Sequence, residues 1–200
     1  MLRAYKYRIC PTEEQKVLFA KTFGCVRYVY NWGLDIKSKL YKEKKESIGV
    51  VALTNRMKSE LKAENEWLGE VNSQALQMAI RNLDTAYQNF FKKNGKYPTF
   101  KSKHDRQSFH NPQACSVDFN RGMLNIPKAK NIPIVFHRKF KGDKMHDVII
   151  SKEKDGRYYA SILVDTFESP LPKKPVTSDT TIGIDTGLKT FAVCSNGMEF

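Results

Sequence analysis

Residues 2–9, LRAYKYRI, alternate apolar with polar or basic side chains, the period of a half-buried strand, and Pro11 ends the run. Thr12 then precedes Glu13, Glu14 and Gln15, a capping-box pattern with acids in the first helical turn. Val17, Leu18, Phe19, Phe23, Val26, Tyr30, Leu34 and Leu40 follow at helical spacings, with Gly24 and Gly33 as weak points. The pattern predicts two helices, over about 12–22 and 25–45, the second trailing into the charged run KSKLYKEKKE. A third helix is expected over roughly 53–63 and a fourth over 72–92, where Leu76, Ile80, Leu83, Tyr87 and Phe90–Phe91 form one apolar stripe.

Pro98, Asn111 and Pro112 mark irregular structure, and from Val117 onward the pattern changes to short alternating runs. Residues 146–165 read as a hairpin turning at Lys154-Asp155-Gly156. Pro170, Pro172 and Pro175 make residues 171–180 a linker, after which TIGID and KTFAVCS are two more strand candidates. The order is strand, helical insert, several strands, linker, and the start of a new unit. That order fits an α+β fold in which a β-barrel (residues 1–10 and 116–170) is interrupted by a helical bundle (residues 11–115), with a further domain opening at 181–200.

Charge changes the picture. Thirty-four Lys and Arg against 21 Asp and Glu give +13. The surplus is uneven: residues 71–150 carry 14 basic and 5 acidic groups, whereas residues 151–200 carry 6 and 7. A basic middle points to a polyanion, because neutralising phosphates releases their condensed counterions. No run approaches the roughly 20 apolar residues of a membrane span, and MLRAYKYRICP lacks the apolar core of a signal peptide, so a cytoplasmic location without membrane partners is expected. Cys10, Cys25, Cys115 and Cys194 form no C-x-x-C pair, which argues against zinc in this stretch and for buried, reduced thiols. His104, His110, His137 and His146 lack metal-ligand spacing and read as surface or core residues.

Three segments carry candidate chemistry. In Thr181-Ile-Gly-Ile-Asp185-Thr-Gly187, apolar residues lead to an aspartate at a strand end, and Gly187 lets the chain turn away without covering it. Such a carboxylate suits divalent-metal coordination in phosphodiester hydrolysis, but two metals need further carboxylates, and only Glu199 follows. A turn aspartate in an ordinary hairpin is the other reading of these residues alone. Asp-Thr-Gly is also the aspartic-protease signature, which here would require a homodimer to supply a second loop. An Ile-Gly-Ile-Asp-x-Gly hairpin also resembles the phosphate-contacting turn of actin-like ATPases.

The second segment runs from Phe90 to Lys103. Lys92, Lys93, Lys96, Lys101 and Lys103 can neutralise phosphates, while Tyr97 and Phe100 can stack on bases. The third is Tyr5-Lys6-Tyr7-Arg8, where a strand would leave Lys6 and Arg8 outward, toward phosphates.

These residues are familiar together. K-Y-R-I-C-P-T-E-E-Q (Lys6–Gln15) resembles the opening of TnpB, or OrfB, proteins of insertion-sequence transposons. Tyr28–Trp32 (YVYNW) looks like that family's N-terminal "helix-turn-helix" region, and F-F-K-K-N-G-K-Y-P-T-F-K-S-K resembles its F-x-G-x-P-x-F-K-x-K stretch. Gly183–Gly197 looks like the first motif of its RuvC-like nuclease domain. The resemblance implies an RNA-guided DNA endonuclease in which pairing between guide RNA and target DNA reads sequence. It implies an oligonucleotide-binding-type barrel, a helical insert on the guide–target duplex, and the first strands of an RNase H-like (RuvC) α/β domain that cuts with Mg²⁺. Asp185 matches the first catalytic aspartate, and no obligate protein partner is implied. The family's later glutamate, its zinc ribbon and its last aspartate have no counterpart before Phe200. The resemblance therefore implies a truncated chain, silent as a nuclease on its own. The competing class is a DNA- or RNA-binding module without nuclease activity, acting as repressor or RNA chaperone.

Overall fold

The computed structural model describes residues 1–140, 142, 144–169, 177 and 181–200. These form two compact units, Met1–Phe167 and Glu168–Phe200. The proline-rich linker expected over 171–180 lies outside the described residues, apart from Thr177. No described helix is long and apolar enough to cross a membrane.

The first unit begins with strand β1 (Leu2–Ile9), whose alternation turns Tyr7 and Ile9 inward and leaves Lys6 and Arg8 outside. Helix α1 (Glu13–Lys44) follows, its start fixed by the capping box: Thr12 Oγ1 accepts from the Gln15 amide and Gln15 Oε1 from the Thr12 amide. The two helices predicted over 12–22 and 25–45 are one unbroken rod. Neither glycine breaks it, because a helix tolerates glycine at a cost of about 1 kcal/mol. At Gly33 the missing side chain admits Leu83 and Leu53, whereas a Cβ on Gly24 would meet nothing within 4 Å.

Helix α2 (Val50–Arg56), a π-helical turn (Met57–Leu61) and α3 (Lys62–Glu64) continue one another, and a 3-10 turn at Glu66–Gly69 precedes α4 (Ser73–Phe91). The apolar stripe of α4 packs Leu76, Ile80 and Leu83 against Cys25, Val29, Tyr30 and Leu34 of α1, and Leu53, Met57, Leu61 and Leu68 close this helical core.

Strands β2 (Gln107–Asn111), β3 (Ser116–Asp118), β4 (Met123–Ile126), β5 (Ala129–Val135), β6 (Lys144–Lys152) and β7 (Tyr158–Asp165) join β1 in an antiparallel sheet ordered β2-β6-β7-β1-β5-β4-β3. The α+β class is confirmed. The β6–β7 hairpin turns as expected, with Gly156 at φ +84°. Strand β2 is not legible from alternation, since Gln107, Ser108 and His110 are polar and Phe109 alone gives it a large apolar residue. It nevertheless adds the sheet's edge from within the stretch read as helical insert.

Phe19 and Phe23 of α1 and Ala75 of α4 pack into the sheet core with Tyr7, Phe109, Ile150 and Ile162. One helix thus serves two cores, the sheet with its first three turns and the bundle with the next three.

Candidate nucleic-acid interface

Beyond α4 the chain folds back over the two long helices and is tied down at two points. Asn31 of α1 clamps the backbone of Lys101: its Oδ1 accepts from the Lys101 amide at 2.8 Å and its Nδ2 donates to the Lys101 carbonyl at 2.9 Å. Tyr97 stands edge-on to Tyr87 (centroids 5.6 Å apart) and to Phe90 (5.3 Å), and its hydroxyl lies 3.0 Å from that of Tyr87 and 3.3 Å from Ser38 Oγ. Burial pushes the Tyr87 phenol up to about 12. The hydrogen bond with Ser38 and then that with Tyr87 lower Tyr97. Either hydroxyl can donate in each contact, and together they hold the ring of Tyr97 in the fold rather than swinging in solvent.

This anchoring sorts the predicted contact residues. Lys92, Lys93, Lys96 and Lys103 are exposed, and none has an ion-pair partner among the described residues. Phe100 is 61% exposed, and Phe91, assigned to the core stripe from its spacing, is 74% exposed. The buried part of the stripe ends at Leu83; Tyr87 and Phe90 are half-buried, and Phe91 lies in solvent. Lys101 is also exposed as a residue, but its ammonium lies 4.1 Å from the centroid of the Tyr30 ring, where desolvation lowers its pKa. The result is a surface of four lysines and two open rings, at the end of α4 and on a following loop whose backbone is already ordered.

The outer face of β1 adds less free charge. Lys6 Nζ binds Glu153 at 2.8 Å and sits 4.5 Å above the Tyr159 ring. Exposed pairs of this kind are worth about 0–1 kcal/mol, so a phosphate can displace the glutamate. Arg8 beside it is exposed.

In the second unit, β8 (Ile184–Asp185) pairs with β9 (Val193–Cys194). Ser195 closes the hairpin, its amide donating to the Gly183 carbonyl at 2.8 Å and its Oγ accepting from the Gly183 amide at 3.0 Å. Asp185 opposes Val193, and Val193 also bridges to Glu199, so the exposed carboxylates of Asp185 and Glu199 flank Val193 on one face. Among the described residues no three His, Cys, Asp or Glu side chains are placed to hold a metal ion. Two carboxylates do not fit a two-metal site.

Cys25 and Cys194 are buried and Cys115 half-buried; Cys10, expected inside, is exposed just past β1. His110 Nδ1 pairs with Asp147 at 2.8 Å across β2 and β6.

Residues 1–46 match the OrfB IS605 family described as "Helix-turn-helix domain". Over those residues the chain is a strand and a single helix, without the turn that the description names. A Streptomyces pristinaespiralis protein named as a candidate RNA-guided DNA endonuclease is 33% identical over 98% of this chain and 48% of its own length. "Virulence protein VsdF" of Salmonella dublin is 37% identical over 116 residues, 98% of its length and 53% of this chain. The chain belongs to the TnpB/OrfB family. InsQ of Escherichia coli (strain K12), named as a candidate RNA-guided DNA endonuclease too, is 27% identical over 100% of this TnpB-family chain and 48% of its own length. The chain thus spans about half the length of the two endonuclease-named relatives.

Proposed function

We propose that this TnpB-family chain grips guide RNA and target DNA as part of an RNA-guided DNA endonuclease. The observation that carries the reading is the pre-ordered surface of Lys92, Lys93, Lys96 and Lys103 around the open rings of Phe91 and Phe100. Lysines on a fixed backbone neutralise phosphates without a further ordering cost, and exposed rings accept bases in any sequence. Arg8 and Lys6 extend the cationic surface across the outer face of β1. Tyr97 and Lys101 position the loop.

In this reading the seven-stranded sheet is an oligonucleotide-binding-type barrel, the helices that interrupt it are a recognition insert, and residues 181–200 open a RuvC-like domain. Asp185 is then one Mg²⁺ ligand of a site completed by carboxylates outside those described. The 200-residue chain tested by itself is expected to bind and not to cut.

RNA affinity measured against salt tests the reading. The log–log slope should be negative, and the combined Lys92→Ala, Lys93→Ala and Lys96→Ala variant should bind more weakly with a shallower slope. A flat slope in the parent chain would falsify it.

A second reading, a binding module acting as repressor or RNA chaperone, is favoured by one observation. VsdF, at almost its full length, corresponds to about half of this chain, so a protein of that size uses part of the sequence alone. Guide-dependent recognition of matched DNA by the chain separates the two.

A further inference from the structure

A second aromatic surface lies away from the lysine loop. Lys21, Gly24, Tyr28 and Asn31 recur along one face of α1, and with Trp67 they line a groove of about 450 Å³ that also touches Arg27 and Glu70. Tyr28 is 39% exposed and Trp67 43%, with ring centroids 5.1 Å apart and planes inclined at 58°. The turn that carries Trp67 is held in place. Leu68, next to it, is fully buried, so the 3-10 turn directs Trp67 outward. Lys128 Nζ donates to the carbonyls of Gly69 and Glu70, both at 2.9 Å, and Lys21 pairs with Glu70 across the groove mouth.

Gly24 gives the groove its floor. Glycine inside a helix costs about 1 kcal/mol relative to alanine. At Gly33 packing explains that cost; at Gly24 nothing within 4 Å does. What the absent side chain leaves is open volume beside the paired rings of Tyr28 and Trp67, in a groove also lined by the cations Lys21 and Arg27.

We propose that this groove holds one unpaired nucleotide of a nucleic-acid strand, its base stacked on Trp67 with Tyr28 against its edge and its phosphate beside Lys21 and Arg27. The inclined rings favour one base lying on one ring and meeting the other edge-on. A paired base buried in a duplex exposes no face to such walls. Phosphate at the mouth would take Lys21 from its exposed pair with Glu70, a pair weak enough to exchange. The proposal deepens the nucleic-acid reading above and rests on it.

The chain has two tryptophans, Trp32 and Trp67, so the Trp32→Phe variant reports on Trp67 alone. Titration of this full-length variant with fluorescently end-labelled octa-uridylate gives two signals, label anisotropy for binding and tryptophan emission for stacking. Emission should be quenched with the midpoint that anisotropy shows. UMP and a blunt RNA duplex at the same phosphate concentration should leave it unchanged. Gly24→Gln should abolish the quench and weaken binding on the order of tenfold, without lowering the melting temperature. Wild type compared with Trp67→Leu serves if Trp32→Phe is unstable. Anisotropy binding with unchanged emission overturns the stacking site and leaves the lysine surface standing; absence of binding overturns both. Equal quenching by UMP or by duplex overturns the unpaired-strand assignment, as does a Gly24→Gln variant that binds and quenches normally.

Discussion

Gly33 in α1 lies directly beneath Leu83 of α4: a Cβ added there would stand 3.0 Å from Leu83 Cδ2 and 3.3 Å from Leu53 Cδ2. Both leucines are at most 1% exposed, so neither has solvent to move into. The close approach brings the longest helix of the chain against the stripe of α4 and fixes the platform on which the lysine loop rests.

Gly33→Ala should therefore destabilise the first unit. Alanine gains about 1 kcal/mol of helix propensity, and overpacking a dense core costs about 1–3 kcal/mol. With two buried neighbours the clash should win, lowering the melting temperature by a few degrees. Gly24→Ala has the same propensity gain and no clash, so it should raise it. Thermal denaturation of the two variants side by side checks the argument, and equal shifts would contradict it.

Asn31→Ala should release the loop without disturbing either core. It removes two hydrogen bonds to Lys101, each worth about 0.5–1.5 kcal/mol net. Hydrogen exchange at the Lys101 amide should accelerate while the amides of α4 keep their protection. RNA affinity should fall although no contacting lysine has changed, because the strand must then order the loop on binding. Unchanged affinity would mean that the loop's order is irrelevant to the grip.

Much of this architecture could be read from pattern. The Thr12–Gln15 capping box, the outward Lys6 and Arg8, the α4 stripe and the turn at Gly156 each follow from local rules that the tertiary structure leaves intact. The misreadings share one cause: a local signal compatible with two tertiary outcomes. A glycine in a helical run marks either a break or a close approach, and only the position of Leu83 decides for Gly33. Phe91 fits the stripe by spacing, yet it is exposed, while Phe90 beside it is half-buried. Lys101 is indistinguishable in type from Lys103 until Asn31 fixes its backbone and the Tyr30 ring takes its ammonium. Strand β2 has too few apolar residues to announce itself and forms because β6 offers an edge. The groove at Trp67 joins Lys21–Asn31 of α1 to Trp67 and Glu70, 36 to 49 positions on, and leaves no local trace.

Asn72→Ala should be costly for an exposed-looking helix start. Asn72 Oδ1 caps α4 by accepting from the Gln74 amide at 3.2 Å, and its Nδ2 donates to Oδ1 of the buried Asn111 at 3.2 Å. Losing the cap costs about 1 kcal/mol, and leaving the Asn111 oxygen unpaired costs about 1–3 kcal/mol more. Urea denaturation should show a combined loss of about 2–4 kcal/mol, and Asn72→Asp should recover only the cap.

The thiols should respond to pH and to alkylation by position. Burial raises Cys25 from the ordinary value of 9.0 to about 11 and Cys115 to about 12. At pH 8 their thiolate fractions are about one in a thousand and one in ten thousand, and access is restricted as well. Iodoacetamide at pH 8 should thus add one group rapidly, at Cys10, as intact-mass spectrometry reads it. The folded state holds these protons while the unfolded state releases them, so the stability they contribute is complete below pH 9 and is lost as pH rises toward 11 and 12. A melting temperature that climbed over that range would contradict the assignment, unless the lysine-rich surface outweighed it; Cys25→Ala and Cys115→Ala should flatten the alkaline decline and so isolate the thiol contribution.

Asp185→Ala separates grip from cutting. The aspartate is exposed in the second unit, while the lysine loop and the Trp67 groove both belong to the first. Its removal deletes a negative charge and no packing, so RNA affinity should stay within about twofold, and the first unit's unfolding transition should not move by more than the roughly 0.5 kcal/mol typical of exposed positions. Mg²⁺ titration of the parent chain should likewise leave hydrogen exchange of the first unit unaltered, since two carboxylates on one strand face do not enclose an ion. Loss of RNA binding on Asp185→Ala would place the aspartate in the grip itself, and the assignment of binding to the first unit would have to be abandoned.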